Sequence, residues 1–269
     1  MSSVPERLHL RLYSGPDSLP PLIYFPGLHG DWTLIGGFRQ CLAQRLRFAE
    51  VTYPRTLSWS LEDYAAGLEE ALFARGLQRG WLLGESFGSQ LIWPLVARGR
   101  FLVEGIILAG GFVRHPMRWA AQVAERVCDG VSLTLLTRLM FGYAKVSRYR
   151  FRKFPDTRAS IEEFIARRTE LDRQAAKHRL RLVAQSDFCS TASALRIPLY
   201  GLTGLLDPIV PWIFVRRWLK KHCVALREYK IIGYADHNVL GTAPKASADQ
   251  VVRWVAANHR ARNSGMAIL

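Results

Sequence analysis

The sequence predicts an α/β fold: a mainly parallel, doubly wound sheet with helices on both faces, interrupted by a helical cap insertion. Three observations carry this. Short apolar runs alternate with stretches of helical periodicity up to residue 112, and again from residue 191 onward. The run Trp81-Leu82-Leu83 leads directly into Gly84-Glu85-Ser86-Phe87-Gly88, so a Gly-x-Ser-x-Gly pattern falls at a junction of strand and helix. Residues 113–190 contain no convincing strand and read as helices. The expected division is a core of 1–112 and 191–269 with a cap of 113–190.

Each element has its own signal. Residues 8–13 alternate apolar and polar side chains with period two, as a half-exposed edge strand does. Leu22-Ile23-Tyr24-Phe25 is continuously apolar, suited to a buried parallel strand, and ends in the loop Pro26-Gly27-Leu28-His29-Gly30-Asp31. Phe38, Cys41, Leu42 and Leu46 recur at helical spacing, and residues 48–53 form the next strand. Ser60 caps a helix whose third following residue is Asp63, a shorter-armed capping box, with Leu61, Tyr64, Ala65, Leu68 and Leu72 facing inward. Residues 81–84 are the central strand. The helix continuing over 90–96 contains Pro94, tolerable only at a kink or near an end. Residues 105–111 are the last strand before the insertion, where helices are predicted at 117–128, 131–141 and 160–184. The sheet resumes at 197–204, followed by a turn through Asp207-Pro208 and a helix over 211–222 with Pro211 in its first turn. A strand at 226–232, a loop at 233–240 and an amphipathic helix at 246–258 complete the chain.

Composition narrows the function. With 269 residues and 49% hydrophobic content, the chain is large enough for one ample core. No stretch reaches the roughly eighteen apolar residues of a membrane span, and Met1–Arg7 lacks the apolar run of a signal peptide. A cytoplasmic protein is expected. Cys41, Cys128, Cys189 and Cys223 are far apart and read as reduced, small hydrophobes. None of the seven histidines joins a ligand cluster, so neither a metal nor a cofactor is expected. The net charge of +15 invites an anionic partner, but no nucleic-acid module is recognisable and nucleic acid is not expected.

In parallel sheets the chemistry gathers beyond the carboxyl ends of the strands. Leu28, Ser86, Asp207 and His237 each fall just past such an end. Serine, acid, histidine is the chain order of one serine-hydrolase arrangement and differs from two others. Gly84 and Gly88 flank Ser86 because a sharp turn there leaves no room for side chains. Asp236 is too near His237 in sequence to orient its ring from the opposite side, and no acid lies between Gly110 and Arg114.

On the strength of Gly84–Gly88, the loop Gly201–Pro211 and Ala235-Asp236-His237-Asn238, the chain resembles a capped member of the α/β-hydrolase superfamily from about residue 20 to the last helix. The resemblance implies a serine hydrolase of the esterase type, cleaving a carboxylic ester or thioester through an acyl-enzyme. Ser86 is then the nucleophile, His237 the general base and acid, and Asp207 the acid that orients the imidazole. The backbone N–H groups of Leu28 and Phe87 would form the oxyanion hole. Pro26 stands where many relatives carry histidine, which leaves the backbone donor intact. His29 and Trp32 are candidate substrate-pocket residues. An acyltransferase of the same fold, or a ligand receptor that retains these residues, stays open as an alternative.

The insertion is unusually basic, with sixteen lysines and arginines against eight acids. Lys145, Arg148, Arg150, Arg152 and Lys153 alternate there with Tyr143, Tyr149, Phe151 and Phe154. A solvated surface is the simplest reading. The sharper expectation is steering of an acyl group carried on an anionic partner, acyl carrier protein or coenzyme A, since the arrangement resembles that of pimeloyl-carrier-protein methyl esterases.

Overall fold

Seven strands build one sheet: β1 (His9–Tyr13), β2 (Leu22–Phe25), β3 (Phe48–Thr52), β4 (Arg79–Glu85), β5 (Leu102–Ala109), β6 (Leu199–Gly204) and β7 (Leu226–Ile232). The structure, a computed structural model, describes residues 7–119, 123 and 155–264. The strand order is β1-β3-β2-β4-β5-β6-β7, with β1 antiparallel to β3 and every other pairing parallel. Parallel neighbours need long crossovers, and helices supply them. The described α-helices are α1 (Gly36–Leu42), α2 (Leu61–Phe73), α3 (Gly88–Arg98), α4 (Pro155–Ala166), α5 (Glu170–Gln185), α6 (Cys189–Ala194) and α7 (Trp212–His222), followed after the last strand by α8 (Val239–Thr242) and α9 (Pro244–Asn263).

Successive strand residues point to opposite faces, so each continuous apolar run feeds two cores. Ile23, Phe25, Leu82, Ile106 and Leu108 pack with Leu68, Leu91 and Trp93 of α2 and α3. Leu22, Tyr24, Trp81, Leu83 and Ile107 pack with Phe38 of α1 and with Val251 and Trp254 of α9 on the other side. Burying a side chain of this size fully contributes about 1.5–3 kcal/mol. The predicted cap of α2 is present in both directions: Ser60 Oγ accepts from the Asp63 N–H at 3.1 Å, and the Asp63 carboxylate accepts from the Ser60 N–H at 2.8 Å.

Several boundaries differ from the sequence-based expectation by a few residues, among them the central strand, which runs Arg79–Glu85, and the last helix, which runs Pro244–Asn263. Three differences have a structural reason. β5 begins at Leu102 rather than Gly105, because Glu104 is a strand residue; buried and paired with Arg79, its carboxylate interrupts the apolar run. The helix expected over 160–184 is two helices. The break comes at Thr169, whose backbone is extended and whose side chain opens a second capping box with Asp172 at the start of α5. The loop expected at 233–240 is present up to Asn238 and then passes into the short helix α8 at Val239. The helices expected at 117–128 and 131–141 fall almost wholly outside the described residues. Among the described residues, no helix is long and apolar enough to cross a membrane.

Candidate active site

β4 delivers Ser86 to the carboxyl edge of the sheet, and α3 starts two residues later. Ser86 has φ of +50°, in the left-handed region. For a non-glycine residue this costs roughly 1–2 kcal/mol. The surroundings hold it there: the Ser86 N–H continues the β4–β5 ladder to Ala109 O at 3.0 Å, and Ser86 O accepts from Ser89 N at 3.0 Å and Ser89 Oγ at 2.6 Å. The flanking glycines are required by close approach. A Cβ on Gly84 would lie 2.7 Å from Ser89 Cα, and one on Gly88 would lie 2.1 Å from Phe25 O.

His237 and Asp207, from the loops after β7 and β6, complete a hydrogen-bonded chain with this serine. His237 Nε2 is 2.9 Å from Ser86 Oγ, and His237 Nδ1 is 2.8 Å from Asp207 Oδ2. The other Asp207 oxygen accepts from the N–H groups of Ile209 at 2.8 Å and Val210 at 2.9 Å. A carboxylate at Nδ1 selects the tautomer with its proton there, leaving the Nε2 lone pair toward the serine. Asp236 plays a different part, since its carboxylate accepts from Asn238 N and Thr242 Oγ1, both at 3.1 Å, and shapes the loop that carries His237.

The loop after β2 lies against the elbow, with a Gly27 Cβ position 3.4 Å from Ser86 Cβ. The N–H groups of Leu28 and Phe87 make no hydrogen bond to any described group. Two arginines of the segment between β5 and β6 reach this loop, Arg168 from the α4–α5 junction and Arg179 from α5. Arg168 pairs with Asp31 at 2.6 Å, and Arg179 donates to Leu28 O at 2.7 Å. Burial drives the pKa of His29 down to about 4, with Arg168 and Arg179 acting in the same direction against Asp31, so its ring is neutral. Although His29 keeps some surface on the cavity, its Nε2 is buried and without a hydrogen-bond partner among the described residues. Burial also opposes ionisation of Asp31, but His29, Arg168 and the Thr33 hydrogen bonds outweigh it and hold the pKa near 2. Beside the serine, burial lifts Glu85 to about 7 against the hydrogen bond from Tyr24.

A cavity of about 330 Å³ opens over Ser86 and His237. Leu28, His29, Leu34, Phe164, Ala176 and Ile209 line it, and Phe164 stands edge-on to the His29 ring at 5.6 Å. Of the two expected pocket residues, His29 is in this wall and Trp32 is not. The Trp32 indole is instead covered by guanidinium groups, Arg11 at 4.2 Å, Arg39 at 5.0 Å and Arg167 at 5.2 Å, which removes it from the cavity. The Phe87 ring is fully buried between Tyr53 and Tyr64, so only its backbone faces the site. Arg168 and Arg173, at the cavity, are paired with Asp31 and Glu170. The cluster from Lys145 to Lys153 lies outside the described residues.

Glu85, Arg168 and Arg179 were not legible as site residues. A single arginine in an amphipathic helix reads as part of its solvated face. Among the described residues no group of three histidines, cysteines or acids is arranged to hold a metal, and Cys41, Cys189 and Cys223 are free thiols.

No family model and no curated relative matches this chain. Solved structures do. A thermophilic esterase from Thermogutta terrifontis superposes with a TM-score of 0.75 at 18% identity, covering 94% of each chain. An enol-lactonase from Burkholderia xenovorans LB400 does so with a TM-score of 0.70 at 17% identity, over 93% of this chain and 96% of the other. An alpha/beta hydrolase enzyme from a Medee basin deep-sea metagenome library matches with a TM-score of 0.71 at 12% identity, over 92% and 93%. With its strand order, its single antiparallel edge and these near-complete superpositions, the chain has the α/β-hydrolase fold.

Proposed function

We propose that this protein is a serine hydrolase that cleaves a carboxylic ester or thioester through an acyl-enzyme. The observation that carries the reading is the continuous chain Ser86 Oγ, His237 Nε2, His237 Nδ1, Asp207 Oδ2, with links of 2.9 and 2.8 Å, at the floor of an apolar cavity. The esterase and enol-lactonase among the similar structures support the same class of chemistry.

A serine hydroxyl is too weak a nucleophile unaided. Ser86 Oγ attacks the acyl carbon as its proton passes to His237 Nε2, and Asp207 stabilises the resulting imidazolium. Negative charge moves onto the carbonyl oxygen, where the free N–H groups of Leu28 and Phe87 receive it; one such donor is typically worth about 10²–10³ in rate. Collapse of the adduct breaks the bond to the leaving alcohol or thiol, which takes the proton from Nε2. Water then attacks the acyl-enzyme with Nε2 as base, releasing the acid and restoring Ser86. The inserted helices act as a cap, with Phe164 and Ala176 giving the cavity an apolar ceiling suited to an uncharged acyl chain.

Labelling with a fluorophosphonate probe tests this directly. The expected result is one adduct per chain on Ser86, lost in Ser86→Ala, together with turnover of a neutral p-nitrophenyl ester. A folded wild type that resists the probe would turn the reading toward a ligand receptor of the same fold.

A further inference from the structure

Arg179 is the one arginine among the largest fully buried side chains of the described residues, at 2% exposure, and it comes from inserted helix α5. Its partners among the described residues are all uncharged. Nη1 donates to Leu28 O at 2.7 Å, Nη2 to Pro54 O at 2.9 Å, and Nε to the Tyr64 hydroxyl at 3.4 Å, while the guanidinium lies 5.3 Å from the Tyr53 ring centroid. No described carboxylate pairs with it. Glu50, Glu69 and Glu104, the buried acids elsewhere in the fold, each have an arginine partner. A buried, uncompensated cation is expensive, and the compensation here is three neutral acceptors and an aromatic face.

Its location is specific. Gly30, two residues beyond Leu28, has φ of +79°, and a Cβ there would stand 2.6 Å from Arg179 Nη1. The loop is thus shaped around the guanidinium. A second arginine, Arg168, holds the same loop from the α4–α5 junction through Asp31 at 2.6 Å and His29 O at 3.4 Å. On the core side Tyr53 OH donates to Pro26 O at 3.0 Å and Tyr53 N to Gly30 O at 2.8 Å. Leu28 sits between these anchors. Its own carbonyl has Arg179 as partner, and its N–H has none among the described residues.

We propose that Arg179 is a positioning residue for the reaction: by holding the Leu28 carbonyl from the inserted helix, it presets the Leu28 N–H for the charge that develops on the scissile carbonyl oxygen. This rests on the serine-hydrolase reading above. The guanidinium also leaves a positive charge behind the loop, in a water-poor setting where it favours an oxyanion over a neutral carbonyl. The packing of α5 on this loop and the presentation of the Leu28 N–H thus depend on the same side chain.

The test compares Arg179→Met and Arg179→Lys with Arg55→Ala, which removes the exposed ion pair between Arg55 and Asp172 that also joins core to insertion. Steady-state turnover of p-nitrophenyl butyrate is measured alongside inhibition by a boronic acid, which forms a tetrahedral adduct, with folding checked by circular dichroism. The expected result for Arg179→Met is a fall in kcat of about 10²-fold with KM little changed, and a comparable loss of boronate affinity. Arg179→Lys, with the charge but fewer donors, falls between, and Arg55→Ala keeps the wild-type kcat. A folded Met variant with wild-type kcat, or with only KM raised, overturns the proposal. Should the Met variant not fold, the Lys variant decides, and wild-type kcat and boronate affinity in it overturn the proposal. If wild-type protein neither reacts with fluorophosphonate nor turns over ester, the hydrolase reading fails first, a result distinguishable from the others.

Discussion

His237 Nε2 and Ser86 Oγ stand 2.9 Å apart although 151 residues separate them in the chain. The sheet accounts for this: β4 and β7 run parallel, so the loops after both emerge at the same edge. Proton transfer from Ser86 to His237 requires that distance, and Asp207 holds the ring from its other side.

Asp207 and Asp236 both lie near His237, but only Asp207 bonds its ring. Asp207→Asn is expected to lower kcat on a p-nitrophenyl ester by about 10³–10⁴-fold, because an amide can stabilise the wrong imidazole tautomer. Asp236→Asn should act mainly on stability, costing about 1 kcal/mol through the loop hydrogen bonds it weakens. Kinetics of the two variants at one pH decide between them, and the reverse ranking would reassign the acid.

The left-handed backbone at Ser86 predicts that function is held at the expense of stability. Ser86→Gly and Ser86→Ala are both expected to abolish ester turnover, but glycine relieves the backbone and alanine does not. Urea unfolding should find the glycine variant more stable than the alanine variant by about 1 kcal/mol. Equal midpoints would mean that the elbow carries no strain.

Glu85 supplies a pH dependence. Burial raises its pKa from 4.5 to about 7, so between these values the folded protein holds a proton that the unfolded chain has lost. Stability therefore falls as pH rises through that window. Glu85→Gln, which keeps an acceptor for Tyr24, should stabilise the protein at pH 8 by roughly 1–3 kcal/mol and leave it nearly unchanged at pH 4. Unfolding curves at the two pH values provide the check, and a shift of the same size at both would remove the link to ionisation.

Residues 113–190 carry sixteen lysines and arginines against eight acids, which bears on the substrate. If this segment steers an acyl group on an anionic carrier, raising salt from about 0.05 to 0.3 M should lower kcat/KM for a carrier-bound ester by roughly tenfold while leaving a neutral p-nitrophenyl ester flat. Flat responses for both would end the carrier proposal.

The elbow was readable because three local requirements coincide at Gly84–Gly88: an apolar strand, room for a turn and a helix start. The order of Ser86, Asp207 and His237 was readable for a related reason, since each follows a strand whose apolar run identifies it. Trp32 shows the opposite case. An aromatic residue just past the loop is equally compatible with a pocket or with packing, and only the convergence of Arg11, Arg39 and Arg167 on its ring removed it from the cavity.

By itself, then, the sequence determined the alternation of strands and helices, the sharp turn at Ser86 and the chain order of Ser86, Asp207 and His237, because hydrophobic periodicity and steric demand are written locally. The tertiary structure decided which acid bonds His237, how Leu28 is held and where Arg168 and Arg179 point. Burial, not residue type, gives Arg179 and Glu85 their character, and burial is a property of the assembled chain.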